Sequence, residues 1–353
     1  MKTIKTIAVM SFISLVIVTS AQAALTFENY GYLAPQDGNN VRIDVATING
    51  VEQFVYTSGR SIHITGTNSQ DDGVIEQHEW TQIGGIFSKG DPSFMVVNPY
   101  NTSEAFWGQG GSFNTARPLN LVSGLDTAAV TFSADFAATE NVYAGDWRSS
   151  DEMYLVAKSK NVDDSYTNKL IRIYDDNGSW ASQDVVEFTN DGLFSGGMTV
   201  SDAGDVYLTN SSGNIFKFTA AELGQAITSD TAITLAGDDN TDAHFLTNLG
   251  TSGSLAIAGG KLFASGFELS NTLKSFDLTT SAIESHVIND VAANNYGYQL
   301  VGNGDDIFAL RNDVNWSTFT IGNSILWGAT VPEPASLILL GAAGLLLTRR
   351  KAS

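Results

Sequence analysis

The stretch Asn68 to Glu79 (NSQDDGVIEQHE) carries oxygen-bearing side chains at the first, third, fifth, ninth and twelfth places of a single loop. These are Asn68, Gln70, Asp72, Glu76 and Glu79, with Gly73 at the turn position and Ile75 at the apolar one. Such spacing lets a loop wrap hard oxygen ligands around calcium. Asn68 and Gln70 are amides, which lowers the charge offered to a cation. The flanks SIHITG and EWTQIG also read as strands rather than helices. The competing reading is an acidic, solvated hairpin loop. Asp175-Asp176-Asn177-Gly178 and Asp238-Asp239-Asn240-Thr241-Asp242 are two further acidic stretches. They are expected chiefly as turns, because Asp and Asn side chains bond their own backbone.

Other chemistry finds less support. The four histidines, His63, His78, His244 and His286, have neither the i, i+4 spacing of a zinc protease helix nor a zinc-ligand arrangement. No Gly-x-Ser-x-Gly elbow occurs, and Gly108-Gln109-Gly110-Gly111 lacks the lysine and following helix of a phosphate cradle. A glycosidase-type carboxylate pair could hide among the 38 acids, but nothing in the spacing selects one. No catalytic residue is named, and calcium is the one cofactor the sequence suggests.

Charge and composition narrow the classes. The chain has 353 residues and a formal charge of −20. With Lys2, Lys5, Arg349, Arg350 and Lys351 set aside, 13 cations face 38 anions. A body so acidic repels phosphate backbones, which argues against nucleic-acid binding. The chain has no cysteine, so disulfides, thiolate metal sites and cysteine nucleophiles are excluded.

The elements that must position any site are strands. Between residues 24 and 330 helical periodicity is confined to Thr219–Ile227 (TAAELGQAI), where Thr219 and Glu222 form a capping signature. The rest is short alternating runs separated by Asn, Asp, Gly and Ser. Four runs share the form charged–aliphatic–aromatic–small or aliphatic: Glu152-Met153-Tyr154-Leu155, Asp205-Val206-Tyr207-Leu208, Lys261-Leu262-Phe263-Ala264 and Asp306-Ile307-Phe308-Ala309. Their aromatics fall 53, 56 and 45 residues apart. Each is followed by a second run with an apolar residue three before an aromatic, namely Ile171/Tyr174, Ile215/Phe218, Leu273/Phe276 and Trp316/Phe319.

A repeat of roughly 50 residues holding three or four strands has the size of a propeller blade. One blade cannot bury both its apolar faces, so the aromatics are expected between stacked blades. The expectation is an all-β propeller of about six or seven blades spanning residues 24–330. A large or tandem β-sandwich is the alternative. VRIDVATI, QFVYTS, SIHITG, SFMVVN and EAFWGQ are the strands expected in the first half, where the repeat is degraded.

Both ends read as addresses. Lys2 and Lys5, the apolar run Ile7–Val18 and Ser20-Ala21-Gln22-Ala23 have the order of a signal peptide over residues 1–23. Ala21 and Ala23 are the small residues a signal peptidase accepts, and cleavage would leave Ala24 first. At the other end, residues 331–353 hold Pro332-Glu333-Pro334, the apolar run Ala335–Leu347 and the cations Arg349, Arg350 and Lys351. A helix over about 335–348 would cross the membrane once, its short span stretched by the basic side chains.

These residues resemble the PEP-CTERM sorting signal of Gram-negative bacteria. The resemblance implies recognition of Pro332, Glu333 and Pro334 by exosortase, a membrane-embedded cysteine protease-transpeptidase, with Arg349, Arg350 and Lys351 as the stop. It further implies transient residence in the inner membrane and delivery to the cell surface or an extracellular, biofilm-type matrix. The functional expectation is an exported, non-catalytic structural or interaction module, with extracellular polysaccharide as a partner. The alternatives are a secreted polysaccharide-acting enzyme and a calcium-dependent carbohydrate or surface binder.

Overall fold

The structure is a computed structural model. It describes residues 25–33, 41–58, 61–67, 74–84, 92–101, 103–109, 115–123, 125–126, 130–131, 141–160, 166–188, 197–235, 240–251, 253–266, 271–288, 296–315 and 320–332.

Six sheets follow one another along the chain, and the first strand, β1 (Glu28–Tyr32), is held back for the last of them. Blade 1 consists of β2 (Val41–Ile48), β3 (Val51–Ser58), β4 (Ser61–Gly66) and β5 (Thr81–Gly84). Blade 2 consists of β6 (Pro92–Val97), β7 (Glu104–Gln109) and β8 (Thr115–Asn120), edged by the short β9 (Leu125–Asp126) and β10 (Val130–Thr131). Blade 3 consists of β11 (Asn141–Ser149), β12 (Glu152–Lys160), β13 (Tyr166–Asp175) and β14 (Trp180–Phe188).

Blade 4 runs through β15 (Gly197–Val200), β16 (Val206–Thr209) and β17 (Asn214–Phe218) before an excursion. The chain forms α1 (Ala220–Ser229), lays β18 (Ile233–Leu235) parallel to the edge of β14, and returns as β19 (Phe245–Asn248), the fourth strand of blade 4. Blade 5 is β20 (Gly253–Ala258), β21 (Lys261–Gly266), β22 (Thr272–Asp277) and β23 (Ile283–Val287). Blade 6 is β24 (Tyr296–Asn303), β25 (Asp306–Asn315) and β26 (Thr320–Thr330), completed by β1 on the outside of β26.

The inner strands β2, β6, β11, β15, β20 and β24 each touch the next, and β24 touches β2. The ring is therefore closed, and the fold is a six-bladed propeller rather than a sandwich. Closure by the pairing of β1 with β26 leaves no gap between the ends of the ring.

The repeated aromatics lie between blades, as their period requires. Tyr154 packs with Val206 and Leu208 of blade 4. Tyr207 packs with Leu262 of blade 5, Phe263 with Ile307 of blade 6, and Phe308 with Phe54 of blade 1. Phe54 and Phe308 meet edge to face, with ring centroids 4.9 Å apart, the geometry their quadrupoles favour. The six hydrophobic clusters each fill one of the six blade-to-blade layers. Burial in these layers, at about 25 cal/mol per Å² of apolar surface, is the main force holding the ring together.

Local signals agree with the elements they predict. Thr219 caps α1 through the N–H of Glu222, and the Glu222 carboxylate accepts the Thr219 N–H at 2.8 Å. Leu223 and Ile227 turn that helix onto Val185 and Phe188 of blade 3. Asn49-Gly50 joins β2 to β3 with both residues at positive φ (53° and 78°). A two-residue hairpin of that twist needs such a pair. The third-strand pairs Ile215/Phe218 and Leu273/Phe276 lie on β17 and β22.

The other two pairs are displaced. Met153 faces Ile173, so the equivalent pair on β13 is Leu170/Ile173 rather than Ile171/Tyr174. In blade 6, Ile307 faces Ala329, which makes Leu326/Ala329 on β26 the counterpart. Trp316 and Phe319 lie outside the described residues, as do the signal segment 1–23 and the helix expected over 335–348. Among the described residues no helix is long and apolar enough to cross a membrane.

Candidate functional site: the axial channel

The six inner strands enclose a cavity of about 870 Å³, and every one of them contributes to its wall. One mouth is ringed by turns that join inner to second strands, including Pro99-Tyr100, Ser201-Asp202-Ala203, Gly259-Gly260 and Gly304-Asp305.

The wall is stitched from side chain to backbone. On β2, Asp44 accepts the N–H of Val45 at 2.8 Å and, across the blade boundary, that of Val97 on β6 at 2.7 Å. Two blades on, Asp146 of β11 repeats the device. It accepts Trp147 N–H at 2.7 Å, Val200 N–H of β15 at 2.8 Å and the Thr199 hydroxyl at 2.9 Å. Between blades 5 and 6, Ser254 Oγ accepts the N–H of Leu300 at 3.0 Å. Between blades 6 and 1, the amide of Gln299 accepts from Ile43 N–H and donates to Ile43 O, at 3.1 and 3.2 Å. Neighbouring inner strands do not share a ladder, so these bonds satisfy backbone N–H groups that would otherwise be orphaned.

Electrostatics in the wall follow from enclosure. Asp44, Asp146 and Arg42 keep some surface toward the channel, yet protein surrounds them. Burial pushes the Asp44 carboxyl up to about 7, against the two backbone donors that favour its anion, with a further push from Asp146. Asp146 is raised to about 6 by burial, against Val200, Trp147 and Thr199. Burial lowers the Arg42 guanidinium to about 10. At the mouth, buried Asn98 fixes the turn that carries Tyr100. Its Oδ1 accepts the N–H groups of Tyr100 and Asn101, and its Nδ2 donates to Ser150 O of blade 3 at 3.1 Å. Tyr100 is thereby held exposed at the rim, its hydroxyl raised by partial burial, Asp202 and Asp146.

Of the residues singled out from sequence, those the structure describes do not line this channel. Asn68, Gln70 and Asp72 of the calcium candidate lie outside the described residues. Glu79 is buried, and its carboxylate accepts the N–H of Glu76 at 2.6 Å within a single 3-10 turn, while Glu76 sits 3.1 Å from His78. Asp175 closes the β13–β14 turn by accepting Gly178 N–H at 2.6 Å, in keeping with a turn-forming role. Asp242 accepts the backbone N–H of His244 and contacts its Nδ1 at 2.9 Å, with the ring stacked on Phe218. Asp238 and Asp239 lie outside the described residues. Among those described, no group of three or more His, Asp or Glu could hold a metal ion.

A Ser–His contact between two of the described residues is structural. Ser275 Oγ lies 2.8 Å from His286 Nε2, both fully buried between β22 and β23. His286 Nδ1 accepts the N–H of Leu25 at 3.4 Å, so the neutral ring donates from Nε2 to Ser275. Burial lowers the His286 pKa, helped by Lys261 and opposed by Glu284. This histidine fastens the start of the propeller to blade 5.

Asp44 and Asp146 escaped the sequence reading. Each is the one acid of its strand, followed at once by the apolar Val45 or Trp147. That placement, costly unless the carboxylate is bonded, was the signal available.

At the far end, Val331 is buried and donates its N–H to Asp305 O at 2.8 Å, whereas Pro332 is exposed. Glu333, Pro334, Arg349, Arg350 and Lys351 lie outside the described residues, as do Ala21, Ala23 and Ala24. Residues 330–351 match the family model of the PEP-CTERM protein-sorting motif. The chain thus ends in that motif, which implies export, anchoring through the C-terminal tail and processing by exosortase.

No relative is found among curated proteins. Two solved structures are similar in outline. A chain of "Crystal Structure of Mitotic Checkpoint Complex" is 9% identical, over 92% of this chain and 89% of that one, with a TM-score of 0.44. The Myceliophteria thermophila Cps50 (Swd1) β-propeller domain is 11% identical, over 82% and 83% respectively, also at 0.44.

Proposed function

We propose that this chain is an envelope or matrix protein whose propeller acts as a non-catalytic interaction module, with the turn-ringed mouth of the axial channel as its binding surface. The observation that carries the reading is the stitched wall. Asp44 and Asp146, the acids inside the channel, are committed to backbone donors of the next blade. They rigidify a preformed cavity, each of their oxygens already holding at least one donor. A preformed concave site with a few polar groups is the usual setting for a small or linear ligand. Extracellular polysaccharide is the ligand class that fits the destination implied by the sorting motif. The matrix or cell surface as the final site belongs to the same proposal.

An array of bacterial polysaccharides probed with the mature domain tests the proposal. The expected result is saturable retention without release of reducing ends. Release of soluble oligosaccharide would make the protein an enzyme and overturn the non-catalytic reading. Retention unchanged by Tyr100→Ala would move the binding surface elsewhere.

A further inference from the structure

The outer edges of the blades are not treated alike. The edge of β14 in blade 3 is covered by β18, laid parallel to it from blade 4. The edge of β1 in blade 6 is met by Ile75, whose N–H donates to Tyr30 O and whose C=O accepts the Tyr32 N–H, both at 2.8 Å. In blade 5, β23 is the last strand of its sheet. Its ladder with β22 runs from Thr272/Val287 to Phe276/Ile283 without a bulge. Ile283 and Val287 are 51% and 49% exposed, although both are large and apolar. Unpaired edges are normally guarded by free charges, proline or a bulge. β23 has none of these, since its one acid, Glu284, is held by Lys261 Nζ at 2.7 Å.

Backbone direction fixes what this edge offers. Ile288 N–H donates to Asn271 O and Asp277 N–H to Ala282 O, both at 2.8 Å. The even-numbered residues of the segment therefore face β22. By the alternation of an antiparallel ladder, Ile283, Ser285 and Val287 turn their N–H and C=O groups outward. The same three residues carry the exposed side chains. Taken in either direction, the edge presents an apolar residue, a serine and an apolar residue. A two-fold axis through Ser285 sets Ile283 against Val287 of a second copy and Ser285 against its equivalent. Every outward N–H then stands opposite an outward C=O. We propose that β23 is the self-association surface of this protein, pairing antiparallel with β23 of a second copy in that register. A pattern that reads the same both ways favours its own copy over a foreign strand, because one patch supplies both sides of an isologous contact. The pair consumes both edges, so assembly stops at two.

Sedimentation velocity of the host-matured protein is expected to show concentration-dependent growth from one copy to two. Ser285→Glu and Ser285→Lys each place like charges face to face on the axis and should weaken association about tenfold or more. Mixed in equal amounts, the two variants should recover the two-copy species. Val287→Lys, which guards the edge with a free charge, should weaken association without placing charge on the axis. All three positions are exposed or nearly half-exposed, so the variants should keep the unaltered Tm when dilute. A protein that stays single at its solubility limit overturns the proposal. Association that the variants leave intact overturns it as well, as does a mixture no more associated than its components. Growth past two copies would equally overturn the closed pair.

Discussion

The carboxylate of Asp44 reaches out of its own blade and takes the backbone N–H of Val97 at 2.7 Å. With its counterpart Asp146, it makes ring closure sensitive to protons. An ordinary aspartate loses its proton near pH 4, whereas folded Asp44 and Asp146 hold theirs to about 7 and about 6. Between those limits the folded state binds more protons than the unfolded one. Stability is therefore fully present below about pH 4 as far as these groups are concerned, and declines as pH rises through the folded values. Urea denaturation across about pH 4 to 7 should show that decline. Asp44→Asn should flatten it, although the amide also forfeits one backbone bond. An unaltered slope in the variant would assign the effect to other groups.

His286 contributes the opposite sign. Its folded pKa lies below the ordinary histidine value, so its contribution is present above about pH 6.5 and is lost as pH falls through that window. His286→Ala leaves the Leu25 N–H and the Ser275 hydroxyl buried without partners, at a cost of about 1–3 kcal/mol each way of counting. Thermal unfolding should show both the lower Tm and the loss of the acid-side decline. Retention of either would detach Leu25 from the role assigned to it.

Glu152 anchors the base of blade 3. Arg172 donates to it through Nε and Nη2 at 2.8 and 2.6 Å, Arg148 through Nη1 at 2.7 Å, and the Tyr154 hydroxyl at 3.1 Å. Burial pushes the Glu152 carboxyl up, but Arg172 and Arg148 outweigh it and hold it below the usual range. Glu152→Gln strands two half-buried guanidinium groups, and a loss of about 3 kcal/mol is expected. Equilibrium denaturation at neutral pH measures it, and a loss under about 1 kcal/mol, the level of a surface pair, would count against the network.

Two glycines should respond in opposite directions. A β-carbon on Gly302 would lie 1.9 Å from the backbone O of Ile257 on the neighbouring inner strand. Gly302→Ala must therefore push β24 off β20, at a cost of about 1–3 kcal/mol or more. Gly224 sits inside α1 with open space around it. Gly224→Ala should stabilise by up to about 1 kcal/mol. Paired melts of the two variants test the closeness of β20 and β24, and equal shifts would refute it.

Much of the architecture was legible in the chain because the physical demand repeats. An aromatic between blades is needed at every interface, so Tyr154, Tyr207, Phe263 and Phe308 recur at the period of a blade. Glu104-Ala105-Phe106 was a fifth copy about one period upstream of Glu152, and Phe106 does pack against blade 3. Trp107 in the fourth place, where the other copies have small or aliphatic residues, obscured it. The charged first position also has a meaning that spacing alone could not supply. Asp205 pairs with Lys217 at 2.7 Å and Lys261 with Glu284 at 2.7 Å, tying second strands to outer ones. The channel was not legible, because its wall joins residues far apart in sequence, such as Ile43 with Gln299. A lone Asp in a strand does not declare its partner.

The pairing of Glu28 with Gly328 on β1 and β26 has a consequence for how the protein is made. Any machinery that threads this polypeptide across a membrane from its front end delivers β1 first and its mate almost last. Five blades can condense in turn while β1 waits for a partner that has not yet crossed. Contacts so distant along the chain form slowly, and an unpaired edge left open meanwhile invites other chains. Completion of the sixth blade is therefore the last event of folding, however early its first strand arrives.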